Sequence, residues 1–517
     1  YPACQKFYNI KTEFLKAQDR LQTVFVFPQN EDERWLLLQE LNLLKRHQDD
    51  KSIFKVKGWA KDLSQLSIRV RHYLLNTYNS FLPHSENEMD ALKATLRSFK
   101  RDIKKLTSRD ESLEETILKS ITASLDAHSE FYSENEFNEV SRSLSSSFVG
   151  VGVIVTEVWQ GYKILELIPG GPAARQKILK KGDVITHADG TTLAGLSVIE
   201  ITPHLSGPRG SLVNLRVRRD QKRHNFIVKR GPVRSKQKSI SSKVLTLAGD
   251  NFGYIKMDRF FSGGGGVNGS KEEFKRRLVE LNKTNVKGLL IDLRNNGGGV
   301  LEEVIDIAGY FIPSGPIVLE LGTETEGFVA YQDKDNETLF DKPVVILVNE
   351  ASASASEILA GSLKFYNRAL IVGSKHTYGK GTIQVIGNTG SVLNVPQWGG
   401  GLRLTVGYYF LPSGKSVQFD GVASHLVLNN KDSELKLEKD LDHSLKPPLK
   451  FDFGYSKSAK WLKDEEFRQA VQFVQDNVFA INTKDKKEAG KKELDAALMA
   501  LKTFSDYVTP VKAAANN

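Results

Sequence analysis

Cysteine is all but missing: Cys4 stands alone in a chain of 517 residues. No disulfide can form within the chain, and no Cys-x-x-Cys metal or redox pair exists. Long apolar runs are missing too. No stretch reaches the ~18 consecutive apolar residues of a spanning helix, so no membrane span is expected. Neither His-Glu-x-x-His nor Gly-x-Ser-x-Gly occurs, and the ten histidines are scattered. These absences leave little support for a metal mechanism, and no metal or other cofactor is expected. No secretory leader is visible either. Tyr1-Pro2-Ala3-Cys4 reads as an internal or processed start, and Cys4 lies in a poor context for a lipid anchor.

What is present fits globular protein, with 40% hydrophobic and 26% charged residues. The length exceeds one hydrophobic core and predicts three or four domains. The net charge of +10 is compatible with an anionic partner. Yet the lysines alternate with acids, as in KDSELKLEKDLD (431–442) and KDKKEAGKKELD (484–495). Interleaved charge belongs to solvated helix faces and linkers, so no nucleic-acid partner is expected.

The most informative stretch is EASASASEILAGSLKFYNRALIVGSKHTYGKG (350–381). PVVILVNE (343–350) reads as a buried strand, and Ile358, Leu359, Leu363 and Tyr366 recur at helical spacing. Such a strand–turn–helix unit offers free N–H groups at the helix start, where they can stabilise an oxyanion. Ser352, Ser354 and Ser356 compete for the role of nucleophile; Ser356, followed by Glu357, is also a candidate cap, and Ser352 a turn residue. Lys380, between Gly379 and Gly381, is the candidate base. For that role its pKa must fall from about 10.4 by roughly three units. Tyr378, Ile383 and Val385 supply apolar surroundings, and Gln384 is placed to hold the amine by a hydrogen bond. A second glycine turn, Gly297-Gly298-Gly299, follows the apolar run Gly288–Leu293 and precedes a helix face of Leu301, Val304, Ile305 and Ala308. Its N–H groups are placed to face a ligand. Asp292 and Arg294 read as structural charges at the strand end.

S-A-S-A-S-E followed by T-Y-G-K-G-T-I-Q resembles the signature of the carboxyl-terminal processing peptidases, or tail-specific proteases. The resemblance extends to VKGLLIDLRNNGGGVLEEVIDIAGYFI (286–312) and to DAHSEFYS (126–133), a junction before the next domain. FVGVGVIV (148–155), LELIPGGPAARQKILKKGDVITHADG (165–190) and LSGPRGSLVNLRVRR (205–219) resemble a PDZ domain. PDZ domains take an extended peptide as an added strand and capture its terminal carboxylate in a loop of N–H groups. That loop is expected at Val149, Gly150, Val151 and Gly152, leading into a strand over 151–155, with Pro172 in the first turn of a short helix.

The resemblance implies Ser354 as nucleophile, Lys380 as base and Gln384 as its orienting residue. Ala355 N–H and a glycine N–H, from Gly297 or Gly298, would stabilise the oxyanion. The activity implied is a serine endopeptidase of the tail-specific type, acting on proteins or peptides with accessible C-termini. An adaptor lipoprotein and a periplasmic location, after removal of a leader, are implied as well. The competing class is a non-catalytic PDZ adaptor or a relative that binds hydrophobic ligands. The chain departs from the family at two places: an apparent one-residue insertion near Ser374-Lys375-His376, and Ala423-Ser424-His425 where Pro-Asp is usual. Lys364-Phe365-Tyr366 carries none of the acid found after the serine in some members.

The fold class expected is multi-domain α/β plus α. A helical N-terminal domain (1–135) precedes the PDZ domain (140–235), an α/β protease core of the ClpP/crotonase type (236–428), and a linker with a helical C-terminal domain (429–517). Leu63, Leu66, Val70 and Leu74 mark the first block, with Leu92, Leu96, Phe99, Ile103 and Leu106. Trp461, Phe467, Val471, Val474, Leu494, Leu498 and Leu501 mark the last. SGGGGVNGS (262–270) is expected to be a flexible loop, and Pro447-Pro448 to lie in the linker.

Overall fold

The computed structural model describes residues 24–46, 62–107, 113–144, 147–234, 240–263, 268–322, 327–334, 337–392, 399–428, 435–446, 450–451, 453, 455, 460–478 and 486–515. Cys4, Pro447-Pro448 and positions 264–267 of the glycine loop lie outside them. The chain forms two compact units, residues 1–116 with 148–234, and 117–147 with 235–517.

In the first unit, helices α1 (Glu31–Arg46), α2 (Leu63–Phe81) and α3 (Glu88–Thr107) share a core that buries Leu74 and Leu92 of the faces read from the periodicity, together with Leu38 and Leu41. Asp62 caps α2 by accepting the Gln65 N–H, the usual service of an acidic N-cap. Helix α4 (Leu113–Leu125), strand β1 (Glu130–Tyr132) and helix α5 (Glu134–Leu144) follow in the chain and, from Ile117 on, belong to the second unit. The PDZ-like part then contributes β2 (Ser147–Gly150), β3 (Val153–Val158), β4 (Gly161–Leu167), α6 (Pro172–Gln176), β5 (Val184–Ala188), β6 (Thr191–Thr192), α7 (Val198–Leu205), β7 (Leu212–Arg219), β8 (Lys222–Lys229) and β9 (Gly231–Arg234). Its main sheet runs β3-β4-β5-β7-β8, so β3 is an edge strand. That strand starts two residues later than the apolar run suggests, because Gly152 turns the chain at φ +80°. Pro172 opens α6.

The second unit continues with β10 (Ile240–Leu247), β11 (Asp250–Met257), α8 (Ser270–Asn282), β12 (Leu289–Asp292), α9 (Leu301–Gly309), β13 (Gly315–Gly322), β14 (Phe328–Asp333), β15 (Val344–Val348), α10 (Ala355–Phe365), β16 (Ala369–Gly373), β17 (Thr382–Asn388), α11 (Thr389–Val392), β18 (Gly401–Phe410), β19 (Leu426–Val427), α12 (Asp464–Asn477) and α13 (Lys486–Ala515). One sheet has the order β10-β11-β12-β15-β16-β19, parallel from β11 onward. All five residues of β15 are buried. A parallel strand covered on both faces needs such an unbroken apolar run. Phe274, Val304, Ile307, Leu359 and Leu363, from α8, α9 and α10, pack one face. Phe467, Val474, Leu501 and Phe504, from α12 and α13, pack the other. A second sheet, β1-β18-β13-β14 with β17 on β18, carries the lysine motif. The glycine turn and the serine motif both follow carboxyl ends of parallel strands, β12 and β15, where open α/β sheets place their ligands.

Candidate active site

The three candidate serines fare differently. Ser352 is buried; its hydroxyl donates to Leu293 O (2.8 Å) and accepts from Asn349 N (3.0 Å). Ser356 is buried too and donates to Asn296 O (2.9 Å). Ser354 is half-exposed, and its hydroxyl makes no hydrogen bond with a described residue. It is the N-cap of α10 and sits at φ +55°, ψ −116°. A serine in that region is strained, and such strain persists only where surrounding contacts over-determine it. Gly298 supplies one of them: a Cβ there would lie 2.8 Å from Ser354 Cβ.

The helix start is capped in an inverted way. Ser354 does not cap with its hydroxyl; instead its N–H donates to Glu357 Oε2 (2.8 Å). The same carboxylate accepts Lys380 N (3.0 Å), Gly379 N (2.7 Å) and Thr377 Oγ1 (2.6 Å). One buried acid thus ties the backbone of the serine turn to that of the lysine turn. Burial pushes the Glu357 carboxyl up to about 7, while its four donors pull it down. Tyr409 makes a second tie, its hydroxyl donating to Lys380 O (2.7 Å) and Ser354 O (3.3 Å). The sequence reading missed Glu357 as a bridge, although its Ser-x-x-Glu spacing is a capping signal; Tyr409 gave no signal at all.

Burial holds the Lys380 amine down at about 8, and the Arg403 guanidinium adds to the effect; Glu438, Glu357 and Asp126 act the other way. The apolar neighbours foreseen are only part of the cause, since Val385 is 51% exposed. The Nζ atom makes no hydrogen bond with a described residue, Ser354 Oγ included. Catalytic contacts are often this loose in unliganded sites. Gln384 Nε2 donates to Thr382 Oγ1 (2.9 Å) and Thr405 Oγ1 (3.2 Å), with no bond to Lys380. A register shift between Ile383 and Gln384 accompanies that placement.

Ala355 N–H, at the first position of α10, has no partner among the described residues. Of the two glycines left open, Gly298 donates its N–H to Asn296 Oδ1 (2.9 Å), whereas Gly297 is exposed and its N–H has no such partner. Asp292 is buried and bonded to Arg294 and Tyr254, and Arg294 reaches Glu493 (3.0 Å), a structural set. In the PDZ-like part, Val151 N–H is spent on Leu205 O (3.1 Å) and Gly207 N–H on Val149 O (3.3 Å). Gly150 bridges Ser206, and Gly152 N–H has no described partner. Among the described residues no group of acids, histidines or cysteines could hold a metal, and no helix is long and apolar enough to cross a membrane.

The two departures from the family pattern meet each other. Ser424 N donates to Lys375 O (3.1 Å), Ser424 Oγ to Ser374 O (2.6 Å), and His376 bridges Ala423. Burial drives the His425 ring down to about 3, and its Nδ1 accepts Ile371 N–H (3.0 Å).

A serine on a strained helix start is thus tied, through Glu357 and Tyr409, to the backbone of a lysine with a lowered pKa. Residues 251–428 match the model of peptidase family S41, and residues 147–229 that of a PDZ domain. The chain belongs to the S41 peptidases, within their carboxy-terminal-processing and tail-specific group. It is 30% identical over 319 residues to a carboxy-terminal-processing protease of Bartonella bacilliformis, covering 62% of this chain and 70% of that one. It is 27% identical over 368 residues to a tail-specific protease of Haemophilus influenzae, covering 69% of this chain and 51% of that one. The chain therefore spans about half the length of the second relative. A solved photosystem II D1 C-terminal processing protease is similar at 23% identity and a TM-score of 0.35, over 77% of this chain and 94% of that one.

Proposed function

We propose that this chain is a serine endopeptidase with a Ser354–Lys380 dyad, fed by C-terminal tails that its PDZ domain captures. The observation that carries the reading is the contrast among the three serines: two have committed hydroxyls, and the third is strained, half-exposed and free. Neutral Lys380 takes the proton of Ser354 Oγ as that oxygen attacks a peptide carbonyl. Ala355 N–H and Gly297 N–H receive the oxyanion, the second choice resting on the engaged N–H of Gly298. The lysine then protonates the leaving amine, and water resolves the acyl-enzyme. Gln384 belongs to the base's surroundings, where it acts through Thr405. In the PDZ domain, Gly152 N–H, with Val149, Gly150 and Val151, forms the carboxylate loop, and the edge of β3 takes the tail as a strand.

The same proposal divides the chain at 1–135, 140–235, 236–428 and 429–517 and places it in the periplasm, with an adaptor lipoprotein as a candidate partner. Cleavage of an unstructured protein with an apolar C-terminus tests the whole reading. Ser354→Ala and Lys380→Ala should each lose activity by at least about a thousandfold, since such groups act as a unit. Full cleavage by Ser354→Ala would sink it. The second reading, a PDZ adaptor, draws on the missing Ser354–Lys380 hydrogen bond. Tail binding without cleavage or acylation by a serine-directed probe would favour it.

A further inference from the structure

Glu357 and Tyr409 hold the backbone of the lysine turn, but Nζ has no described partner and Gln384 does not reach it. The turn is also gripped from a distance, by the four residues Asp126–Ser129 between α4 and β1.

Two arms leave that segment. In the first, His128 Nε2 lies 2.8 Å from Glu438 Oε2 and 3.0 Å from Oε1. Glu438 is wholly buried, and its Oε1 also accepts Gln418 Nε2 (3.0 Å) and Ser444 Oγ (3.3 Å). Gln418 Oε1 in turn accepts the N–H of Gly381 (2.7 Å), the residue after Lys380. In the second arm, Asp126 Oδ1 accepts Thr405 Oγ1 (2.8 Å), whose oxygen accepts Gln384 Nε2 (3.2 Å). Asp126 is itself fixed by the N–H groups of His128 (2.8 Å) and Ser129 (3.0 Å) and by the Ser129 hydroxyl.

The gripped turn has no slack. A Cβ on Gly381 would come within 2.6 Å of Ser416 Oγ and 2.7 Å of Gln418 N. Glu438 is buried among donors, a placement a carboxylate tolerates only when its oxygens are satisfied. Loss of one donor is therefore felt along the arm.

We propose that Asp126 and His128 are positioning residues of the lysine: His128, through Glu438 and Gln418, fixes the Lys380–Gly381 turn, and Asp126, through Thr405, fixes Gln384. The proposal rests on the serine–lysine reading and adds to it a set of residues more than 250 positions from the base in sequence.

The charged groups facing the amine are Arg403 from β18, Glu357 from α10, Glu438 from the segment after β19, and Asp126. Exchanging Glu438 for glutamine keeps the volume and deletes one negative charge, so the amine gives up its proton more readily. The test measures kcat, KM and the pH profile for cleavage of an unstructured protein with an apolar tail. It compares the full chain with Glu438→Gln, His128→Ala and His128→Gln, each checked by thermal melting.

Glu438→Gln should move the rising limb about half a pH unit or more toward acid. His128→Ala should lower kcat about tenfold with KM unchanged, and His128→Gln, which retains a donor, should recover most of it. A limb that stays in place in folded Glu438→Gln, or an unchanged kcat in His128→Ala, overturns the proposal. Cleavage surviving in Ser354→Ala, included as a control, would instead overturn the reading beneath it.

Discussion

The two halves of the site are held in opposite ways. The serine half is local: strand β15, the turn and α10 lie within 23 residues, and the partners of its two buried hydroxyls, Leu293 and Asn296, belong to the adjacent parallel unit. The lysine half is remote: its turn leans on Glu357, Gln418, Glu438 and His128, with 310 residues between the last two. Apolar packing of β15 and α10 backs the hydrogen bonds of the first, whereas the second rests on a chain of directional hydrogen bonds. A packed helix start tolerates small losses, whereas a chain of buried polar groups fails when one link is left unpaired.

The contrast can be broken most forcefully at the one residue shared by both halves. Glu357→Ala leaves four donors without an acceptor. It should cost roughly 3 kcal/mol or more of stability and at least about a hundredfold in kcat/KM, measured by chemical denaturation and peptide cleavage. Retained activity would show that the two turns hold their places without the bridge.

The pH profile sharpens the same comparison. As the proposed base, Lys380 must be neutral, so activity should climb as pH rises through about 8. Glu357, pushed up to about 7 by burial, gains a proton below that point and then presents it to groups that are already donors. Activity should therefore fall toward acid more steeply than a single ionisation permits. A log–log slope of one all the way down to about pH 6 would mean that protonating the bridge leaves the site intact.

The smallest effect is expected on the serine side. Ser356→Ala removes one buried hydroxyl bonded to Asn296 O. It should cost about 1–2 kcal/mol with cleavage within about threefold of the parent. A loss as large as that of Ser354→Ala would mean that the helix start is no more robust than the lysine turn.

The same division explains what could be read from the sequence. Strand β15, helix α10 and the glycine turn announce themselves through apolar runs and spacing; the S41 assignment agrees with motifs in those runs, and the PDZ assignment with motifs at 148–219. Spacing alone left three serines open, and only the family resemblance implied Ser354; the hydroxyl partners that occupy the other two, Leu293 O and Asn296 O, come from another strand's turn and leave no local mark. Gln384 looked like a partner of the amine from its four-residue offset, but the irregular β17–β18 register leaves it bonded to Thr382 and Thr405. His128 and Glu438 carry no local mark of their pairing. The departure at Ala423–His425 is bonded to the other departure at Ser374–His376, a pairing their separation in sequence does not announce.

The spacing of His128 and Glu438 also sets a clock. A ribosome adds roughly 5–20 residues per second, so His128 waits about 15–60 s before its partner, 310 residues later, is even made. The serine half is complete at Phe365, so for the last ~4–15 s of that interval it exists while the lysine turn lacks its brace. Among the parts described here, the lysine turn therefore receives its brace after the serine half has been made.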